Sequence, residues 1–261
     1  MKSFTMKLLL GVASAATLFT TAALADDAPP PWGTFSGYVD VASDYRFRGI
    51  SQSNRQPSPE ASINWSGPEG FYAGTWEAKT DWVGYQPFRQ TPSFEADFYA
   101  GKHTDLDGTD LNVEAYYYSY PDYVKNYLGP KSASYYETIV QLAHTFDALT
   151  VTATGAWSPR WSLVGSNGYY VEGTASYAAT DWLSISGNVG HQWVDLAKSF
   201  GSTDYTHWDL GGTATYKSWA LDVRYVDTSL NKSQCGFYMI TKNACEPTVV
   251  ATLTYNISSL F

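Results

Sequence analysis

The sequence predicts an all-β fold, a transmembrane antiparallel up-and-down β-barrel of about twelve strands. Three observations favour it: apolar and polar residues alternate along many segments, short and long connections alternate, and aromatic residues are abundant. Of the 261 residues, 16% are aromatic and only 16% are charged. Beyond the N-terminal segment no run of 18 or more apolar residues occurs, so no transmembrane helix is expected.

The C-terminal segment shows the alternation clearly. From Thr248 to Phe261, one parity is apolar except for Ser259, and the other parity carries Thr252, Thr254, Asn256 and Ser258. A terminal aromatic on an open strand edge would recruit other strands, whereas a closed barrel has no edge. The ending resembles the assembly signal of bacterial outer-membrane barrels, with Tyr255, Ile257 and Phe261 as its residues. It predicts the barrel-assembly machinery as a partner.

Residues 1–25 have the organisation of a secretory signal peptide. Lys2 and Lys7 supply the positive charge, and the run Leu8–Ala16 forms the apolar region. Small residues at Ala23–Ala25 provide the cleavage site. We therefore expect the chain to be exported across the inner membrane.

The mature chain divides into a Pro-rich periplasmic lead, residues 26–34, and the barrel, residues 35–261. Cleavage of the signal peptide removes two lysines and no acids, so the formal charge moves from −9 to −11. Nucleic-acid binding needs a basic patch, and this acidic balance disfavours it.

Twelve segments have the pattern of barrel strands. Most contain nine to thirteen residues, and a tilted strand needs about 9–11 to cross a bilayer. They are Phe35–Phe47, Pro59–Trp65, Phe71–Lys79, Ser93–Lys102, Asp110–Tyr120, Tyr135–Thr145, Leu149–Ser158, Tyr169–Ala178, Trp182–Trp193, Thr206–Tyr216, Trp219–Asp227 and Thr248–Phe261.

The connections between these segments support the topology. Every second connection is short: Ser66–Gly70, His103–Thr109, Phe146–Ala148, Ala179–Asp181 and Lys217–Ser218. The others are long: Arg48–Ser58, Thr80–Pro92, Pro121–Ser134, Pro159–Gly168, Val194–Tyr205 and Thr228–Pro247. Short periplasmic turns and long extracellular loops are typical of outer-membrane barrels.

The polar parity carries most of the charges and is expected to line the lumen. The predicted pore-lining residues are Asp40, Asp44, Arg46, Arg48, Glu60, Glu77, Lys79, Glu95, Asp97, Glu114, Asp209, Asp222 and Arg224. They either form a salt-bridge network that fills the lumen or make an acidic lining that favours cations. Twelve strands lie between barrels of about eight strands, which side chains fill, and barrels of 16–18 strands, which hold an aqueous channel.

The extracellular end of the first strand is unusually charged. The alternation places Tyr45 and Phe47 on the lipid face and Arg46 and Arg48 inward, with Glu60 on the next strand available to pair with an arginine. This region is predicted to be a charged constriction or, alternatively, a structural salt bridge at the rim.

Three motifs resemble the TorF family of outer-membrane porins. They are Ser43–Gln52 (SDYRFRGISQ), Gly70–Trp76 (GFYAGTW) and Glu95–Gly101 (EADFYAG). The sequence departs from that pattern at Glu77–Lys79, where small or amide residues are expected. The resemblance implies a barrel in the outer membrane of a Gram-negative bacterium and a transport role, without a defined substrate.

Cysteine and histidine chemistry is sparse. Cys235 and Cys245 lie in one long loop of an oxidising compartment, which predicts a disulfide. A zinc site would need two further ligands, and no histidine lies nearby, so we expect neither metal nor cofactor. His191 lies on the predicted lipid face, where an outer-membrane lipase would use a Ser–His pair.

The preferred interpretation is a porin-like channel for passive diffusion of small polar solutes or ions, favouring cations. The alternatives are a structural or adhesion barrel with a plugged lumen and, less favoured, an outer-membrane hydrolase. Predicted partners are small solutes, outer-membrane lipids and lipopolysaccharide. The lipopolysaccharide phosphates would meet basic loop residues: Arg89, Lys125, Lys131, Arg160, Lys198 and Lys232.

Overall fold

The computed structural model describes residues 30–82, 92–121, 133–162, 165–195, 203–238 and 241–258. Its elements are β1 (Thr34–Ala42), β2 (Arg46–Phe47), β3 (Ile50–Ser51), β4 (Ser58–Ser66), β5 (Phe71–Lys79), β6 (Phe94–Leu106), β7 (Thr109–Tyr118), β8 (Tyr135–Phe146), β9 (Leu149–Trp161), β10 (Ser166–Ala178), β11 (Leu183–Val194), β12 (Tyr205–Tyr216), β13 (Trp219–Thr228), α1 (Lys232–Tyr238) and β14 (Thr248–Ile257). A short 3₁₀ turn, Pro68–Gly70, precedes β5.

Twelve of the described strands, β1 and β4 to β14, form one closed antiparallel barrel. Each strand pairs with its neighbours along the chain, and β1 closes the barrel on β14 from Gly37↔Ile257 to Ala42↔Thr252. The predicted fold class is confirmed. The strands β2 and β3 stand apart as a two-stranded hairpin.

The two faces of the wall follow the alternation. Apolar side chains are exposed on the outside, as at Val39 and Val41 of β1 and Val249 and Leu253 of β14. Polar side chains of the other parity point inward and many are buried. In the described part of the chain, no helix is long and apolar enough to cross a membrane.

One periplasmic turn is much tighter than the sequence predicts. The second predicted turn, 103–109, shrinks to Asp107-Gly108, because both residues have positive φ, +57° and +87°. This is the geometry of a two-residue type I′ turn, whose twist matches that of the strands. The flanking strands β6 and β7 consequently pair as far as Leu106↔Thr109.

Several sequence predictions fall on residues outside the described ranges. They are the signal peptide (1–25), the lead as far as residue 29, the loop residues Arg89, Lys125, Lys131 and Lys198, and the terminal Phe261. Of the predicted assembly signal, the structure describes Tyr255 and Ile257 on β14. The ring of Tyr255 lies 4.9 Å from that of Trp219.

Candidate functional site

The first extracellular loop folds back into the barrel. The prediction that strand one continues to Phe47 was wrong, because β1 ends at Ala42 and the chain forms the hairpin β2–β3. We call Arg46–Ser51 the inward hairpin. Its turn pairs Phe47 with Ile50 and places Arg48 (φ +47°) and Gly49 (φ +83°) at the tip. Two positive φ values between paired residues define a type I′ turn.

Asp44 holds the base of the inward hairpin. Its carboxylate accepts hydrogen bonds from Arg46 Nε at 2.8 Å and from Ser51 Oγ at 2.5 Å. Arg46 also donates from Nη1 to the Gly49 carbonyl at 2.9 Å. Both charged side chains are buried, and their partners belong to the loop itself. This pair therefore sets the shape of the hairpin.

Tyr45 and Phe47 pack inside the barrel, which corrects their predicted lipid-facing position. The Tyr45 ring meets Trp76 of β5 at 5.1 Å between centroids, and its hydroxyl donates to Glu95 of β6 at 3.1 Å. The Phe47 ring meets Tyr118 of β7 at 5.4 Å. These contacts attach the inward hairpin to one side of the wall.

Arg48 reaches the opposite side of the lumen. Its guanidinium donates to both carboxylate oxygens of Glu137 at 2.6 and 3.0 Å and to Gln192 Oε1 at 2.5 Å. It also lies 3.8 Å from the ring centroid of Tyr170. Arg48 is only 3% exposed. The tip of the hairpin is thus clamped to β8, β10 and β11 by a bidentate, charge-assisted interaction.

Gly49 explains why the tip can approach the wall so closely. A Cβ at this position would lie 2.6 Å from Thr228 Cγ2 and 2.7 Å from His207 Cβ. The positive φ adds a second reason, since residues with an L side chain rarely adopt it. With Gly49 against β12 and β13, and Tyr45 against β5, the hairpin spans the lumen.

A second loop covers the hairpin from outside. Cys235 and Cys245 form the predicted disulfide, with an S–S distance of 2.04 Å. We call residues 229–247 the disulfide loop. Its Ala244 carbonyl accepts a hydrogen bond from the backbone N–H of Ser51 at 2.9 Å, and both cysteines pack in a buried cluster with Ile50.

The outer edge of the disulfide loop is charged. Lys232 Nζ lies 2.6 Å from Glu246, and this hydrogen bond lowers the pKa of the Glu246 carboxyl. Arg55 of the first loop donates to the Asn243 carbonyl at 3.1 Å. The disulfide loop therefore contacts both the hairpin and the chain that follows it.

Stacked tyrosines line the wall beside the hairpin. Tyr99 stacks on Tyr116 at 5.3 Å, and Tyr118 stacks on Tyr135 at 4.4 Å, with Tyr116 and Tyr118 4.5 Å apart. These inward rings come from β6, β7 and β8. They fill the extracellular half of the lumen on the side where Phe47 packs.

Three carboxylates form a row across neighbouring strands. Asp40 of β1 pairs with Glu60 of β4, Glu60 with Ala78 of β5, and Ala78 with Glu95 of β6. Glu60 was predicted to meet an arginine, but its cross-strand neighbour is Asp40. Among the described residues, the buried atoms Asp40 Oδ1 and Glu60 Oε1 have no hydrogen-bond partner. We call Asp40, Glu60 and Glu95 the acidic row.

Other predicted lumen residues form salt bridges or hydrogen bonds inside the barrel. Arg224 of β13 bonds to both oxygens of Asp222 at 2.6 and 2.8 Å and to Asp209 of β12 at 2.6 Å. Asp97 accepts the Tyr116 hydroxyl at 3.0 Å, while Glu114 accepts the Tyr72 hydroxyl at 2.7 Å. The residues named in this paragraph all lie on the inward parity.

Glu77 and Lys79 were wrongly predicted to line the pore. In β5 the inward positions are those of Trp76 and Ala78, which are buried, and the intervening positions share the outer face with exposed Phe71. Glu77 is half-buried and Lys79 is exposed at the end of the strand. Their departure from the TorF-like pattern therefore changes the outer surface near the rim and leaves the lumen charge unaltered.

The described geometry gives no support to the hydrolase alternative. His191 does lie on the outer face of β11, but its Nδ1 is hydrogen-bonded to Thr206 Oγ1 at 2.7 Å, and its ring packs on Trp193 at 4.3 Å. Its partner is thus a threonine on the neighbouring strand. No group of three His, Cys, Asp or Glu side chains in the described residues could hold a metal ion.

A closed barrel with an apolar outer face, a polar lumen and an inserted extracellular loop defines the class of outer-membrane β-barrels. The chain belongs to the Gcw_chp family, described as bacterial proteins of unknown function, whose family model matches residues 25–261. A comparison with curated protein sequences finds no match.

Solved structures share the fold at low sequence identity. The KdgM porin matches with a TM-score of 0.54 and 9% identity over 86% of this chain and 98% of that one. A structure described as the KdgM porin in complex with disordered oligogalacturonate matches with a TM-score of 0.52 and 9% identity, over 87% and 99% of the two chains. These similarities establish the architecture.

Proposed function

We propose that this protein is an outer-membrane channel for passive diffusion of small polar solutes or ions, and that it favours cations. The inward hairpin forms its constriction, and the acidic row lies beside it. Export by a signal peptide, assembly by the barrel-assembly machinery and contact with lipopolysaccharide belong to the same proposal. The sequence motifs that resemble TorF porins support it.

The observation that carries the proposal is the difference in side-chain packing between the extracellular and periplasmic halves of the lumen. Around the hairpin, side chains such as Arg48, Glu137 and Gln192 are buried. On the periplasmic side, the inward positions hold small polar side chains, of which some are buried, such as Ser176, Ser186 and Thr254, and others remain partly accessible to solvent. The accessible ones include Thr174, Ser184, Asn188, Thr252 and Asn256. A polar stretch of lumen that ends at a constriction supports the proposal of a selective channel.

The charge of the lumen supports the cation preference. The described salt bridges of the lumen arginines occupy Asp44, Glu137, Asp209 and Asp222. The acidic row takes part in none of these four. Carboxylates without a basic partner in a narrow passage lower the free energy of cations there and repel anions. An anionic sugar polymer, the ligand of the KdgM complex, is therefore an unsuitable solute for this lumen.

The cation preference can be tested by neutralising the acidic row. We expect Asp40→Asn with Glu60→Gln to lower the cation-to-anion permeability ratio at least about fourfold, because each unit charge about 5 Å from an ion contributes roughly 0.8 kcal/mol even in water, which is a factor of about four. The measurement is the reversal potential of the reconstituted channel under a KCl gradient.

The matched control for this measurement is Glu77→Gln, which removes a carboxylate from the outer face of the same region. It should leave the reversal potential unchanged. An unchanged potential in the Asp40/Glu60 double variant would refute the role of the acidic row.

A structural barrel with a plugged lumen is the second candidate. The observation that favours it is the complete enclosure of the hairpin tip, where Arg48 is bonded to Glu137, Gln192 and the face of Tyr170. Conductance separates the two functions. A folded barrel that passes no current, in the wild type and in variants that loosen the hairpin, supports the structural role.

A further inference from the structure

The outer face of the barrel contains a groove. It has a volume of about 620 Å³ and runs across β8 to β11 as far as Thr206 of β12. Its floor is made by outward-facing small residues, Ala153 and Gly155 of β9 and Gly173 of β10. Its walls are apolar: Val140 and Leu142 on one side, and Val171 and Val189 on the other.

The strand register shows how these residues form a groove. One cross-strand row reads Val140, Gly155, Val171 and His191, and the next reads Leu142, Ala153, Gly173 and Val189. The small residues are adjacent on neighbouring strands and are flanked by larger ones in both rows. The depression is therefore continuous across two rows of the wall.

No neighbouring atom in the described chain requires glycine at the two floor positions. A Cβ on Gly155 or Gly173 would meet nothing within 4 Å, in contrast to Gly74 and Gly190, where tyrosine side chains occupy that space. Neither floor glycine has a positive φ. Glycine inside a strand weakens it and often marks close approach by another molecule. The absence of side chains here leaves room for an occupant outside the chain.

The position of the groove indicates the kind of occupant. Directly above it, toward the extracellular rim, Trp157, Tyr169 and Trp193 form a row of exposed aromatic residues across β9, β10 and β11. Aromatic belts lie at the level of lipid headgroups. The groove begins below this row, at the polar pair His191–Thr206, and continues toward the barrel's midplane. It lies at the depth of acyl chains in the outer leaflet.

We propose that this groove binds one acyl chain of an outer-leaflet lipid. Apolar surface alone gives no preference inside a bilayer, because lipid tails are as apolar as leucine. Close packing gives such a preference, because an acyl chain in the groove makes van der Waals contacts with the floor and with both walls. The lipid headgroup then lies beside the aromatic row. This inference rests on the membrane-spanning fold and does not require the channel proposal.

The proposal is tested by measuring how many lipid molecules the purified barrel retains. The barrel is reconstituted in nanodiscs of a single saturated-chain phosphatidylethanolamine, released into mild detergent and examined by native mass spectrometry. We expect one retained lipid per wild-type barrel. Gly155→Leu and Ala153→Leu fill the groove and should reduce the retained fraction about tenfold.

Ala115→Leu is the matched control, because Ala115 is an exposed alanine on the outer face of β7. It makes the same chemical change as Ala153→Leu outside the groove and should retain the lipid. Equal retention in all four proteins would overturn the proposal. So would a wild-type dimer that Ala153→Leu dissociates, since the groove would then be an interface between copies of the chain.

The outcome is independent of the channel function. Gly155 faces away from the lumen, so Gly155→Leu should leave single-channel conductance at the wild-type value. Loss of lipid with unchanged conductance supports the groove alone. If neither the wild type nor the variants conduct, the channel proposal fails. The number of retained lipids still tests the groove in that case.

Discussion

Replacing Arg48 by alanine is expected to raise single-channel conductance severalfold and to strengthen the cation preference. The substitution removes the side chain that crosses the lumen at the tip of the inward hairpin, together with its positive charge. It also leaves Glu137, which is 1% exposed, without its arginine. Breaking a buried ion pair by removing one partner costs about 3–5 kcal/mol. The free energy of unfolding in urea should fall by that amount.

Arg55→Ala provides the control for Arg48→Ala. Arg55 belongs to the same loop, but its side chain is 35% exposed and its contacts are with the disulfide loop. An exposed ion pair contributes at most about 1 kcal/mol, so this variant should be close to wild type in stability and conductance. If Arg48→Ala conducts like wild type, the hairpin tip does not restrict the passage.

Removing the disulfide with Cys235→Ser and Cys245→Ser is expected to lower the free energy of unfolding by roughly 2–3 kcal/mol, as the chain-entropy account gives for a separation of ten residues. It should also increase the frequency of current fluctuations. The disulfide loop holds the hairpin through the Ala244 carbonyl and through the packing of both cysteines on Ile50. A looser loop lets the hairpin move.

Thermal unfolding and current recordings of the same preparation measure both effects. Thr241→Ser, a conservative change inside the loop, is the control and should reproduce the wild-type recordings. A double serine variant with lower stability but an unchanged current trace would show that the disulfide loop stabilises the barrel without restraining the hairpin.

The sequence predicts the barrel well because the barrel depends on local patterns. Period-two alternation identifies strands such as β14, and the alternation of connection lengths establishes their order. The inward parity of Asp209, Asp222 and Arg224 follows from the same alternation. Each of these features depends on residues close together in the chain.

The sequence does not predict the inward hairpin, because its position depends on contacts between distant residues. The alternation through Tyr45 and Phe47 continues that of β1 and conceals the end of the strand. The signal that could have revealed the turn is Arg48-Gly49 between Phe47 and Ile50, since glycine favours the positive φ of a type I′ turn. The partners of Arg48 lie 89 and 144 residues away in the chain.

Glu77 shows a second way in which a prediction from the sequence can fail. Charge suggested that it lies in the lumen, whereas its parity with Phe71 places it on the outer face. Near the membrane interface a charged side chain on the outer face costs only about 0–1 kcal/mol, so composition alone does not decide its direction.

The most direct test of the proposed channel is the single-channel current of the refolded wild-type protein in a planar bilayer under a salt gradient. We expect a small, stable conductance with a cation-favouring reversal potential, because the proposed passage is narrowed by the inward hairpin and lined by the acidic row. A correctly folded barrel that passes no current, or one that favours anions, would contradict this account.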